Sequence, residues 1–109
     1  MHPDEPDWQL TLDQQPDRTV VTVTGDLDLE TAPELLARTD GVLAAGPGAL
    51  VIDLSGLAFI DSSGLSALIR MNQRMAGSGR PFEIISPPRT VAKAFEITGL
   101  DQVLPLRAA

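Results

Sequence analysis

The sequence predicts a single α/β domain in which a mixed sheet of about four to five strands carries packed helices. Three observations lead there. The chain opens with two runs of strand character. Apolar segments of strand length then alternate with segments of helical period, and 109 residues enclose one core comfortably but two only with difficulty. A composition of 43% hydrophobic and 21% charged residues is that of a soluble globular protein rather than a disordered one.

Residues 1–7 contain two prolines and three acids and read as a flexible, solvated tail, so the domain is expected over 8–109. Trp8-Gln9-Leu10-Thr11-Leu12 alternates apolar and polar side chains, as a strand with one wet face does. "DQQPDR" turns the chain. Thr19 to Thr24 is β-branched throughout, with Val21 and Val23 on one face and Val20 on the other, and is expected to pair back on the first strand. "GDLDLE" reads as a loop. Thr31 and Glu34 have capping-box spacing around Pro33, which the first turn tolerates, and Ala32, Leu35, Leu36, Val42 and Leu43 follow at helical steps until "AAGPGA".

Ala49 to Leu54 is nearly all apolar, the pattern of a central parallel strand buried on both faces. After Ser55-Gly56, Leu57 to Ile60 carries the chain to Asp61. Leu65, Leu68, Ile69 and Met75 then mark a second helix that "GSGR" ends. Phe82 to Ile85 is a short strand, and "SPPRT" introduces a third helix with Val91, Ala94, Phe95 and Thr98 inward. Gly99 and Leu100 close that helix as a glycine cap with its hydrophobic contact. Val103 to Leu106 is expected to add an edge strand, a place in a sheet where Pro105 is tolerated.

Several function classes fall away on composition. The absence of cysteine removes disulfides, thiolate nucleophiles and cysteine metal sites, and the one histidine, His2, lies in the tail, so no ordinary Ser-His-Asp hydrolase is available. A net charge of −7 with eight scattered Lys and Arg argues against nucleic acid and for a basic or amphoteric protein partner. No apolar run approaches the length of a membrane span and the acidic N-terminus lacks signal-peptide character, so no membrane association is expected and the protein is placed in the cytoplasm. Asp26, Asp28 and Glu30 alternate like calcium-loop ligands, but Thr31 and Ala37 stand where that loop needs Gly and Glu. "GPG" and "GSGRP" lack the endings of phosphate-binding loops and read as turns. No cofactor is expected.

The stretch "FIDSSGLSALI" offers two readings. Asp and Ser are favoured helix N-caps, because their oxygens accept hydrogen bonds from the free amides of the first turn. A hydroxyl in the same place also lies where a helix N-terminus stabilises an added phosphate. The blocks "VTVTGDLDLETAPEL", "VIDLSGLAFIDSSGLSALI" and "RTVAKAFEITGLDQVLPL" are similar, in that order and over nearly the whole chain after the tail, to the STAS family, specifically the bacterial anti-sigma factor antagonists. The resemblance implies a mixed sheet covered by helices mainly on one face. It implies a regulatory protein without catalytic activity of its own, whose unmodified form binds an anti-sigma factor, often a serine kinase, and releases a sigma factor. It further implies that phosphorylation by the kinase switches binding off and that a phosphoserine phosphatase reverses it.

Carried over residue by residue, Ser62 is the phosphate acceptor, with Ser63 the runner-up. Asp61 precedes the helix, Gly64 admits a close-approaching partner, and Asp28 matches the acidic loop position beside the site; the loop from Asp26 to Glu30 and the start of the second helix are expected to form the partner surface. A phosphate-independent interaction subunit of a transporter or stress-sensing complex is the alternative within the family. A small nucleotide-binding enzyme is the alternative outside it.

Overall fold

In the computed structural model, which describes residues 8–46 and 48–108, five strands form one sheet in chain order: β1 (Trp8–Gln14), β2 (Arg18–Leu27), β3 (Ala49–Ile60), β4 (Phe82–Ile85) and β5 (Leu106–Arg107). The expected tail over 1–7 lies outside the described residues, as does Pro47 of "GPG". β1 is antiparallel to β2, and every other neighbouring pair is parallel. Helices α1 (Ala32–Ala45), α2 (Ser62–Ser78) and α3 (Arg89–Thr98) make the three crossovers. Each crossover steps the same way across the sheet, and parallel crossovers are right-handed, so all three helices fall on one face.

The hairpin forms as expected. Leu10 lies opposite Val23 and Leu12 opposite Val21, which puts four apolar side chains in the helix-facing row, while Thr11, Asp13, Val20 and Thr22 face the other way. β3 is the parallel, central strand expected, with apolar side chains buried on both faces. Leu50, Ile52 and Leu54 enter the core under the helices, and Val51, only 4% exposed, is buried on the other face in a row between Val20 and Glu83. One layer of helices covers one face of a sheet.

The chain also does not leave the sheet at Ser55-Gly56. β3 continues to Ile60, and two register shifts against β2, at Thr22–Thr24 and at Gly25–Asp26, each give it one extra residue. Core side chains therefore fall at Leu54, Leu57 and Ile60, a spacing of three that disguises a strand. Gly25, at the second shift, has φ of +87°, a conformation that costs glycine nothing. For the same reason β2 extends to Leu27, so that the first half of "GDLDLE" is strand rather than loop.

In α1, Ala32 and Leu35 are buried and Leu36, Val42 and Leu43 pack partly against the core. Thr39, also buried, was not foreseen. Its hydroxyl donates to the Leu35 carbonyl at 2.8 Å, which satisfies it within its own helix. α2 buries Leu65, Leu68 and Met75 as expected, together with Gly64, Ala67 and Met71, while Ile69 is half-buried. α3 is anchored by Val91 and Phe95. Thr98, expected inward, is instead exposed and donates to the Ala94 carbonyl at 2.7 Å. Gly99, at φ +75°, closes α3 with its amide donating to the Glu96 carbonyl. The last strand is shorter than expected. Val103 is 61% exposed after a 3₁₀ turn, and β5 begins at Leu106, because Pro105 has no N–H to donate and joins the ladder only through its carbonyl, which accepts from the Ile84 amide at 3.0 Å. Among the described residues no helix is long and apolar enough to cross a membrane.

Candidate functional site

Leu27 and Ile60, the last residues of β2 and β3, are register partners, so the segments that follow them leave the sheet side by side. The Asp61 amide donates to the Leu27 carbonyl at 3.2 Å and ties the start of α2 to the β2–α1 loop. Gly64 completes this junction from the buried side. A Cβ there would lie 2.6 Å from the Leu27 carbonyl oxygen and 2.7 Å from Ile60 Cγ1, so only glycine lets the first turn of α2 settle on the strand ends. The neighbour that approaches Gly64 is thus its own chain, in place of the partner expected there.

Asp61 is the N-cap of α2. Its backbone is extended, and its Oδ1 accepts from the Ser63 amide at 2.8 Å and the Gly64 amide at 3.1 Å. Such a cap contributes about 1 kcal/mol relative to alanine. Because the carboxylate of Asp61 does the capping, the two serines are released from it. Ser62 stands exposed in the first position of α2, and Ser63 is half-buried.

The acidic loop is built by reciprocal hydrogen bonds. Asp28 Oδ1 accepts from the amides of Glu30 and Thr31 at 3.0 and 3.2 Å. Thr31 Oγ1 accepts from the Asp28 amide and donates to the Asp26 carbonyl, each at 2.9 Å. The expected capping box between Thr31 and Glu34 is therefore corrected: the Thr31 hydroxyl serves the loop before the helix, and no side chain caps α1. Asp26 is half-buried in β2 opposite Phe59, and Glu30 is exposed. Among the described residues no group of three His, Cys, Asp or Glu side chains is placed to hold a metal ion.

The fold thus brings the Asp26–Glu30 loop and the Asp61–Gly64 turn to one end of the sheet. It also brings two exposed apolar side chains and a groove to this end, none of them expected from the sequence. Leu29, at the tip of the loop, is 73% exposed, and Phe59 is 50% exposed. A groove of about 450 Å³ runs between the N-terminal halves of α1 and α2, with Leu29, Pro33 and Leu36 on one side and Ser63, Ala67 and Arg70 on the other. The signal was present as the three- and four-residue spacing of Ser63, Ala67 and Arg70, a second helical face beside the apolar stripe.

Residues 10–106 match the family described as "Mlab, STAS domain". Anti-sigma-F factor antagonist RsfB of Mycobacterium tuberculosis is 32% identical over 87 residues, 80% of this chain and 70% of that protein. An anti-sigma F factor antagonist of Lysinibacillus sphaericus is 31% identical over 83 residues, 74% of this chain and 70% of the relative. The crystal structure of an anti-sigma factor antagonist from Mycobacterium paratuberculosis superposes with a TM-score of 0.84 at 31% identity, covering 99% of this chain and 90% of that one. The fold of SpoIIAA in its unphosphorylated form is also similar, with a TM-score of 0.79 at 20% identity over 93% of this chain and 88% of that one. With the sequence match running from β1 to β5 and the same architecture in its relatives, this chain belongs to the STAS domain family.

Proposed function

We propose that this protein is an anti-sigma factor antagonist working as a phosphorylation switch. The unmodified form binds an anti-sigma factor that is also a serine kinase, and so frees a sigma factor. Phosphate on Ser62 ends the binding, and a phosphoserine phosphatase restores it. The chain supplies the hydroxyl, while the kinase supplies ATP, magnesium and the chemistry. The observation that carries this reading is Ser62 itself: exposed, free of capping duty and beside an acidic loop, in a chain whose relatives bear the antagonist name.

The switch follows from desolvation. A neutral hydroxyl enters an interface cheaply. A phosphate of about −1.5 to −2 charges beside Asp61 and the Asp28 loop must be desolvated against like charge. Asp26, Asp28, Asp61, Ser62 and Ser63 form the partner surface in this proposal, with Gly64 holding the turn that presents it. The test is intact mass and peptide mapping after incubation with the anti-sigma kinase, with one phosphate expected on Ser62. Phosphate on Ser63 alone, or on neither, rejects the assignment. Binding that survives phosphorylation of Ser62 would make the chain a phosphate-independent interaction subunit.

A further inference from the structure

The groove between α1 and α2 is a different surface from the acidic loop, in shape and in charge. Its lining is mostly small and apolar, with Ala32 and Ala67 buried at its base and Pro33 exposed beside them, and its rim carries one charged group, Arg70. Arg70 is exposed. It is one of eight Lys and Arg in a chain of net charge −7, and the salt bridges among the described residues, Arg74 with Asp40 and Arg107 with Glu83, leave it out. At the opposite rim Leu29 projects from the turn that Asp28 and Thr31 lock by hydrogen bonds. An exposed leucine is ordinary on a protein surface, but one held on a fixed turn loses little freedom when a partner covers it. Ser63 joins the groove to the site, since it lies in both.

We infer that this groove receives a segment of the anti-sigma factor that places an apolar side chain between Leu29 and Ala67 and a carboxylate on Arg70. Charge complementarity selects this occupant. The loop at the neighbouring edge is acidic and attracts cations, and the groove attracts the opposite sign. The two surfaces together fix one orientation of the partner, where a uniformly acidic face would allow several. The groove is also open to solvent along one side, whereas small-molecule sites enclose about 70–90% of their ligand. That favours a protein segment over a small amphiphilic anion. The inference rests on the proposed antagonist function and adds to it the two side chains that select the partner.

The experiment uses the unphosphorylated full chain and the recombinant cognate anti-sigma factor, with affinity measured by calorimetry. Arg70→Glu and Lys93→Glu change the net charge equally, but Lys93 is exposed on α3, outside the groove. Arg70→Glu is expected to weaken binding at least tenfold and Lys93→Glu less than twofold, and Leu29→Ala is expected to weaken it about tenfold. A photo-crosslinker in place of Ser66, which also lines the groove, should react with an acidic and apolar segment of the anti-sigma factor. Folding of each variant is checked by circular dichroism, and Arg70→Gln provides a milder second variant expected to lose part of the affinity. Equal loss for Arg70→Glu and Lys93→Glu, or full affinity in Leu29→Ala and Arg70→Glu, overturns the groove while leaving the antagonist function standing. Failure of the wild-type chain to bind any anti-sigma factor overturns both. An amphiphilic anion seen by native mass spectrometry on the wild type and not on Arg70→Glu would replace the protein segment as the occupant.

Discussion

Two glycines of α2 test the geometry of the site, because the same substitution in the same helix is expected to have opposite signs. Alanine is favoured over glycine in a helix interior by about 0.8–1.0 kcal/mol. At Gly77 a Cβ meets nothing within 4 Å, so Gly77→Ala should keep most of that gain, a stabilisation of about 0.4–1 kcal/mol. At Gly64 the new Cβ would lie 2.6 Å from the Leu27 carbonyl oxygen, a backbone atom held by the strand, and 2.7 Å from Ile60 Cγ1. Overpacking of this kind costs about 1–3 kcal/mol or more, and the rigidity of the obstacle puts the cost at the upper end. After the propensity gain is subtracted, Gly64→Ala should destabilise by about 1–2 kcal/mol. For a domain of this size about 1 kcal/mol corresponds to roughly 4 °C in Tm. Thermal unfolding followed by circular dichroism should therefore show Gly77→Ala melting a few degrees above wild type and Gly64→Ala about 4–8 °C below it. If Gly64→Ala melts at or above wild type, α2 does not sit on Leu27 as described, and the placement of Ser62 falls with it.

The remaining predictions concern the acids and the acceptor. Asp61→Ala should cost about 0.5–2 kcal/mol in denaturant unfolding by freeing the Ser63 and Gly64 amides, while Asp61→Asn, which keeps an acceptor oxygen, should cost only a few tenths; equal losses would mean that charge rather than capping sets the role of Asp61. Asp28→Asn preserves the Oδ1 that receives the Glu30 and Thr31 amides, so it should leave Tm unchanged yet slow association with the partner at low salt, a difference that fades as salt is raised. An unchanged on-rate in stopped-flow measurements would reduce the loop to scaffold. Phosphorylation of Ser62 should abolish most partner affinity while shifting stability by no more than about 1 kcal/mol, since the helix dipole favours the phosphate by about 0.3–1 kcal/mol and Asp61, already seated on the nearest amides, opposes it. Ser62→Asp, with one charge in place of about two, should fall between the two forms in calorimetry. A large drop in Tm on phosphorylation would make unfolding the cause of release.

By itself the sequence determined the kinds of elements and their order, the apolar stripes of the hairpin and helices, the αL cap at Gly99, and the Asp-Ser-Ser-Gly start of the second helix. These are local matters. Side-chain periodicity and the conformational limits of glycine and proline act over a few residues and can be read from them. Tertiary structure decided what depends on a neighbour distant in the chain. The apolar run of β3 predicts a buried central strand, but which face of the sheet the helices cover is set by three crossovers that all step the same way. Its continuation through Ser55-Gly56 depends on two register shifts against β2, and a bulge is a relation between two strands that neither strand encodes alone. Thr31 had the spacing of a capping box, yet its hydroxyl was drawn to the Asp28 amide and the Asp26 carbonyl by the way the loop returns on itself. Gly64 is glycine because Leu27, 37 positions away, presents a carbonyl there. The groove at Arg70 exists only because two helices, each with its own legible face, lie beside each other across one sheet.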